Sequence, residues 1–294
     1  MTTTEPRNNE RKPGSDSLLF RFLRNRSGLI GAIIASALVV VAILGALEIT
    51  PYPYWQQHRL DSLEPPGDRY PLGADLFGRD IASRLMRGAS NSLYVSLLSV
   101  CFATAVGATI GILAGYFGGR TDILLMRLMD IIFAFPGLLL ALLIVALLGR
   151  GLNNTLLAIG IVYTPIFARV ARGPVLALKE TEFVLAARVT GAGPWHILLR
   201  HILPNMTAPL IVQISLGLSW ALLTESGLSF LGLGPEVGEP SWGVMLSGEN
   251  RALAERAPWL LFYPSIAIML GVLSFNLLGD GLRDVLDPKL RGNT

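Results

Sequence analysis

GASNSLYVSLLSVCFATAVGATIGILAGYFGG, residues 88–119, runs for 32 residues without an Asp, Glu, Lys, Arg or His. A hydrocarbon core about 30 Å thick is crossed by about 20 residues of helix. So long an uncharged run reads as a membrane-spanning helix. Five more such runs surround it: 21 residues at 27–47, 19 at 131–149, 18 at 151–168, 23 at 202–224 and 23 at 257–279. Only the tight turn Arg150-Gly151-Leu152-Asn153 separates the third from the fourth. The sequence therefore predicts an all-α integral membrane protein with six transmembrane helices.

Composition agrees. Of the 294 residues, 52% are apolar and 15% charged, against about 25% charged in soluble domains. Mean hydropathy is +0.53. These totals exclude a water-soluble enzyme, a nucleic-acid binder and a disordered tail protein as the default. The single cysteine, Cys101, allows no internal disulfide. A zinc site would need nearly all of His58, His196, His201 and Cys101 together, so no metal site is expected. The expected orientation is N-in, C-in. It places 16 of the 24 Lys and Arg on inner segments and 8 outside, the bias that inner-facing loops carry. That bias also accounts for the basic pI without nucleic acid.

The expected organisation follows the runs. Residues 1–27 form an inner tail, disordered over the first 17 residues and amphipathic over 18–26. Residues 28–49 are the first transmembrane helix, too long an apolar run for a cleavable signal peptide. Residues 50–87 are an external loop. Residues 88–281 hold a five-helix core that includes an inner loop at 169–204, and residues 282–294 form an inner tail.

The inner loop is the most informative connection. Residues 180–190 have helical composition, with Phe183, Ala186, Ala187 and Thr190 on one face. Gly191-Ala192-Gly193-Pro194 breaks that helix, and a second helical run follows to Ile202, with Pro204 marking entry into the fifth span. Two short helices joined at a glycine corner make a knuckle. The alternative is an ordinary amphipathic loop on the membrane surface.

Elsewhere, Gly107, Gly111 and Gly115 form a small-residue face for close helix packing, within this chain or across a subunit interface. Pro136 and Pro165 are expected to kink the third and fourth spans. Asp130 is expected to pair locally with Arg127. Glu225 interrupts the fifth span; a charge in lipid costs about 2.5–3.5 kcal/mol, so it lines a path or braces the adjoining loop. Asn276 is placed to hydrogen-bond across helices, and Asp280, Arg283 and Asp284 read as a helix end.

The inner loop resembles the signature loop of ABC importer permeases: Glu-Ala-Ala, three residues, Gly, nine residues, Ile-x-Leu-Pro. Here it reads Leu185-Ala186-Ala187, Gly191, then His201-Ile202-Leu203-Pro204. Leu185 and His201 depart from the pattern. Further matches are YPLGADLFGRDIASRL from Tyr70, AGYFGG from Ala114, GLSFLGLG from Gly227, PSWGVML from Pro240 and FNLLGDGLRDVLDPKLR from Phe275. From about residue 18 to 291 the chain resembles the C-type permease subunit of dipeptide, oligopeptide and nickel ABC importers.

That resemblance implies a type I ABC importer permease fold in the bacterial inner membrane. It implies a homologous second permease as heterodimer partner, two cytoplasmic ATPase subunits and an extracytoplasmic binding protein. It makes Glu182, Ala186, Ala187, Arg188 and Gly191 the ATPase-coupling residues. It places the segment holding Trp242 near the external gate, and Glu225, Asn276 and Trp242 are the candidate residues of the translocation path or gate. The outer acids Glu236, Glu239, Glu249 and Glu255 either meet the binding protein or belong to a merely solvated loop. No catalytic residue and no cofactor are expected on this chain, with ATP and magnesium held by the ATPases. Independently, a phosphate loop needs Gly-Lys-Ser/Thr, and none of Lys12, Lys179 and Lys289 sits in one. Against this stand a membrane-embedded enzyme, which lacks a nucleophile–base or metal motif, and a stand-alone ion- or proton-coupled carrier, which would want carboxylates near the bilayer midplane.

Overall fold

A computed structural model describes residues 18–286. The tail expected to be disordered, residues 1–17, the last eight residues, 287–294, and the Glu249 side chain lie outside the described residues. Helix α1 spans Leu18–Arg24 and α2 spans Arg26–Ala46. Asn25 joins them and caps α2, its Oδ1 accepting the Gly28 N–H at 2.9 Å. Helix α3, Ile81–Phe117, starts inside the segment assigned to the external loop because Asp80 caps it there. Then come α4 (Gly119–Phe133), α5 (Gly137–Leu148) and α6 (Leu152–Leu178). The inner connection holds α7 (Glu182–Val189), α8 (Pro194–Ile197), one π turn (Leu198–Ile202) and α9 (Leu203–Asn205). Helix α10 is Thr207–Phe230, α11 Trp242–Met245, α12 Gly248–Ala252 and α13 Trp259–Leu286.

Five helices, α2, α3, α6, α10 and α13, are each long and apolar enough to cross a membrane. The run 131–149 does not form the single helix expected. It is split between α4 and α5, which meet at 86°. Pro136 has no N–H for the ladder and pushes Phe135 out of the helical region. Alone, the 12 residues of α5 span only about 18 Å. The chain ends fix the count. Asn25 donates to Asp284 Oδ2 at 2.9 Å, and a Cβ built on Gly28 would lie 3.1 Å from Gly281 Cα. Both ends therefore lie on one side, which needs an even number of crossings, so the bent pair makes one crossing and the total is six. Following the basic-residue bias we call this side inner.

Two further boundaries move. Helix α10 runs straight through Glu225 rather than being interrupted there, because that carboxylate is wholly buried and accepts a hydrogen bond from Ser229 Oγ at 2.7 Å. Helix α6 continues through Pro165 and Pro174 to Leu178, so Arg169 and Arg172 are helical.

The α3–α6 seam is the centre of the bundle. A Cβ on Gly107 would lie 2.5 Å from Thr164 O, one on Gly111 would strike Ala168 O, and one on Gly115 would lie 3.0 Å from Val175 Cβ. A Cβ on Gly115 would also lie 3.1 Å from Arg172 O, so residues 107, 111 and 115 of α3 meet 164, 168 and 172 of α6 and the two helices run parallel in backbone contact. The partner of the glycine face is thus within this chain. Ser99 Oγ adds a bond to Leu156 O at 3.0 Å.

On the outer side, residues 50–80 fold into a cap. Tyr70 is buried and donates to Asp61 at 2.9 Å; Asp75 pairs with Arg79 at 2.6 Å; Trp259 Nε1 donates to Ala74 O at 3.2 Å. A clasp closes the cap onto the loop before α11. Glu239 accepts from Tyr54 Oη at 2.5 Å, Arg87 Nε at 3.1 Å and Asn91 Nδ2 at 3.2 Å. Its carboxylate is therefore engaged inside the chain rather than free for a partner. Burial pushes the Glu239 carboxyl up, but the donors Tyr54, Asn91 and Arg87 together outweigh it and hold it below its usual value.

Gly111→Leu should destabilise the bundle by about 1–3 kcal/mol or more, read as a lowered melting temperature of the detergent-solubilised protein; a wild-type melt would refute the seam. For the clasp, a depressed folded pKa gives stability that is present above the ordinary carboxylate value and lost as pH falls through the folded one. The stability advantage of wild type over Glu239→Gln should therefore be largest at neutral pH and shrink on acidification, as measured by paired thermal melts.

Candidate functional site

The knuckle is built from the inner ends of α6 and α10. Lys179 Nζ donates to Gly115 O at 3.1 Å, tying the end of α6 back to α3. Thr181 turns the chain, and α7 begins at Glu182, an acid in the first turn where the helix dipole favours it. At the other end the Gly191 N–H bonds Arg188 O and the Ala192 N–H bonds Ala187 O, both at 3.0 Å. Gly191 sits at φ +83°, the left-handed form a side chain resists. A Cβ there would meet nothing within 4 Å, so the backbone conformation, not crowding within this chain, calls for glycine. Pro194 then opens α8 at a position that needs no N–H. The π turn follows, just before Pro204, whose ring disfavours a regular helix across Arg200–Pro204.

One face of the knuckle is anchored. Val184, Ile197, Leu198, Ile202 and Met206 are buried in one cluster with Ala171 and Val175 of α6 and Leu210 of α10. The other face is open and apolar. Phe183, Leu185, Trp195 and Leu199 are exposed, and Val189 is 88% exposed. Of the coupling residues, Glu182, Ala186, Arg188 and Gly191 are exposed, while Ala187 turns partly inward onto the buried cluster. Arg188 lies over the Tyr116 ring, 5.6 Å from its centroid. An exposed apolar surface on a rigidly held protrusion is the mark of a docking face.

Above the knuckle, the inner edge of the bundle carries two ion pairs. Asp130 pairs with Arg169 at 2.8 Å, not with Arg127 as expected. Arg127 is one turn away on the same helix, but Arg169 reaches across from α6 and also stacks 4.1 Å from the Phe133 ring. Asp122 takes Arg172 in two-pronged contact, both bonds 2.6 Å. These pairs hold α4 to α6.

Of the three residues expected at a path or gate, two are buried in the bundle and the third is half-buried. Trp242 is buried, its Nε1 donating to Leu85 O at 3.1 Å and its backbone N–H to Ser92 Oγ at 3.2 Å. Glu225 is wholly buried and accepts from Ser229 Oγ, one turn along its own helix, at 2.7 Å. Asn276 is half-buried on α13, and its side chain bonds no described residue. Sequence reasoning passed over an outer cleft of about 580 Å³ between α3, the α5–α6 turn and the loop before α11, lined by Arg87, Asn91, Tyr94, Arg150, Asn153 and Glu236. Its walls come from three distant segments, so no local pattern announces it. Among the described residues no three His, Cys, Asp or Glu side chains gather as metal ligands.

Comparison with known proteins places this architecture. A family model described as binding-protein-dependent transport system inner membrane component matches residues 107–292. A second, the N-terminal transmembrane domain of oligopeptide transport permease C, matches residues 15–66. The dipeptide transport system permease protein DppC of Alkalihalophilus pseudofirmus is 44% identical over 268 residues, covering 91% of this chain and 88% of that one. The glutathione transport system permease protein GsiD of Pectobacterium atrosepticum is 43% identical over 274 residues, covering 92% and 90%. Among solved structures, an inward-facing MetNI methionine ABC transporter chain superposes with a TM-score of 0.55 at 17% identity, over 69% of this chain and 97% of that one; at that identity the likeness speaks to fold alone. Both of these relatives are permease proteins of transport systems rather than enzymes. With six crossings and a buttressed inner knuckle, this chain belongs to the binding-protein-dependent inner membrane components of ABC transport systems.

Proposed function

We propose that this permease forms half of the translocation path of an ATP-driven importer for peptides or a related small solute. An extracytoplasmic binding protein delivers the solute, and a homologous second permease forms the other half of the path. The knuckle carries this reading. Its buried side chains lock it to α6 and α10 while Phe183, Leu185, Val189 and Trp195 stay exposed, so a cytoplasmic ATPase subunit has an apolar face to seat and a rigid lever to move. Glu182, Ala186, Ala187, Arg188 and Gly191 act as coupling residues: the small side chains admit a close-packed partner and Gly191 makes the corner. Closure of the ATPases on ATP pushes the knuckle, and the packed α6 and α10 carry that displacement into the path. The peptide class rests on the dipeptide and glutathione permeases that this chain resembles over about nine-tenths of its length.

The test uses paired substitutions at the corner. Asn and Asp both tolerate the left-handed backbone better than other side chains, so they separate strain from docking. Gly191→Asp should remain in the membrane yet lower peptide uptake and substrate-stimulated ATPase by about tenfold, since it sets a charge against an apolar interface. Gly191→Asn should lose less. Normal uptake by Gly191→Asp, or failure of wild type to co-purify with ATPase subunits, would overturn the reading.

A further inference from the structure

We propose that the outer cleft binds short peptides by their two charged ends, with Arg150 holding the carboxylate and Glu236 the ammonium. The proposal deepens the importer reading above and rests on it for the class of ligand.

The cleft holds about 580 Å³, a size that small ligands occupy. Its charged lining is Arg87, Arg150, Glu236 and Glu239. Two of these are already spent on each other. Arg87 Nε donates to Glu239 at 3.1 Å, and the same carboxylate accepts from Asn91 Nδ2 at 3.2 Å and from Tyr54 Oη. Arg150 and Glu236 remain. Both are exposed, and no ion pair or side-chain hydrogen bond joins either to a described residue.

The backbone fixes where these two charges stand. Arg150 sits in the α5–α6 turn between Gly149 at φ +92° and Gly151 at φ +143°. Asn154 Nδ2 braces that turn, donating to Leu148 O and Gly149 O, both at 3.1 Å. Glu236 sits in the loop before α11. The Gly151 N–H donates to Gly234 O at 3.1 Å, and Thr155 Oγ1 donates to Leu233 O at 3.2 Å. The turn and the loop are thus tied together next to Arg150 and just before Glu236. Opposite charges on joined segments attract, yet these two do not pair; they stand apart on the walls of one cleft. A simple anion or cation would match only one of them. A short peptide with free ends carries an ammonium and a carboxylate and matches both. A guanidinium takes a carboxylate through two parallel N–H donors. Asn153 adds a neutral donor: its Oδ1 accepts from Tyr94 Oη at 3.1 Å, which leaves its NH₂ for the ligand.

The experiment pairs changes in the protein with changes in the peptide. The transporter, with both permeases and both ATPases but without binding protein or ATP, is held in lipid nanodiscs. It is titrated with L-alanyl-L-alanine, the N-acetylated dipeptide and the C-amidated dipeptide, and affinity is read by saturation-transfer NMR. Removing either charge from the peptide should weaken binding to wild type by about fivefold, the size of a solvent-screened ion pair. In Arg150→Gln the penalty for amidation should vanish while that for acetylation stays. In Glu236→Gln the pattern should reverse. Both side chains are exposed, so these substitutions leave the packing intact, and a crossed pattern is one that a merely structural change would not give. Penalties in the variants equal to those in wild type, which would place the peptide elsewhere in the complex, or no binding by wild type, would overturn the cleft assignment. ATP-driven uptake of the dipeptide by the liposome-reconstituted wild type with its binding protein is measured separately. Its absence would overturn the importer reading, and the crossed titrations would still decide the cleft.

Discussion

Backbone contact between α3 and α6 is the constraint on which the rest of the structure depends. Three glycines at four-residue spacing remove every Cβ from one stripe of α3, and the carbonyls of Thr164 and Ala168 occupy that space. In lipid, helices gain little from burying apolar surface against one another, so close van der Waals approach and small residues drive association. The seam sets the spacing of the bundle. Helix α4 is then tied to α6 by Asp122–Arg172 and Asp130–Arg169, and the knuckle is seated against the inner end of α6.

That seating lets a short connection act mechanically. Helix α7 has only 8 residues, too few to be stable in isolation. It holds its shape because Val184 enters a cluster supplied by α6, the π turn and α10. The open face is therefore presented by borrowed rigidity. Charged groups of the bundle show the same economy: the carboxylates Asp122, Asp130 and Glu225 are all engaged by arginines or serines within the chain, which leaves them as fasteners rather than as ion carriers.

Much of this was legible in one dimension. Uncharged runs mark the six crossings because the cost of a charge in lipid acts on each residue separately. The knuckle was legible because Gly191 and Pro194 act on their own backbone. The right-angle break after Phe133 was only half visible: Pro136 announces an interruption, but the 86° angle depends on what α4 and α5 each pack against. Glu225 looked like a helix interruption because the segments that bury it are remote in the chain. The expected Arg127 partner of Asp130 failed for the same reason, since a neighbour on the next helix offered better geometry than one a turn away.

The sequence by itself determined the solvent, the number of crossings, the side taken as inner from its basic residues and the place of the glycine corner. All of these follow from local quantities: hydropathy, charge and backbone freedom. Only the tertiary structure decided which helix the glycine face meets, that Glu239 clasps the outer cap, and that Trp242 is buried. Those are pairings between residues far apart in the chain, and their energies exist only once the helices have come together.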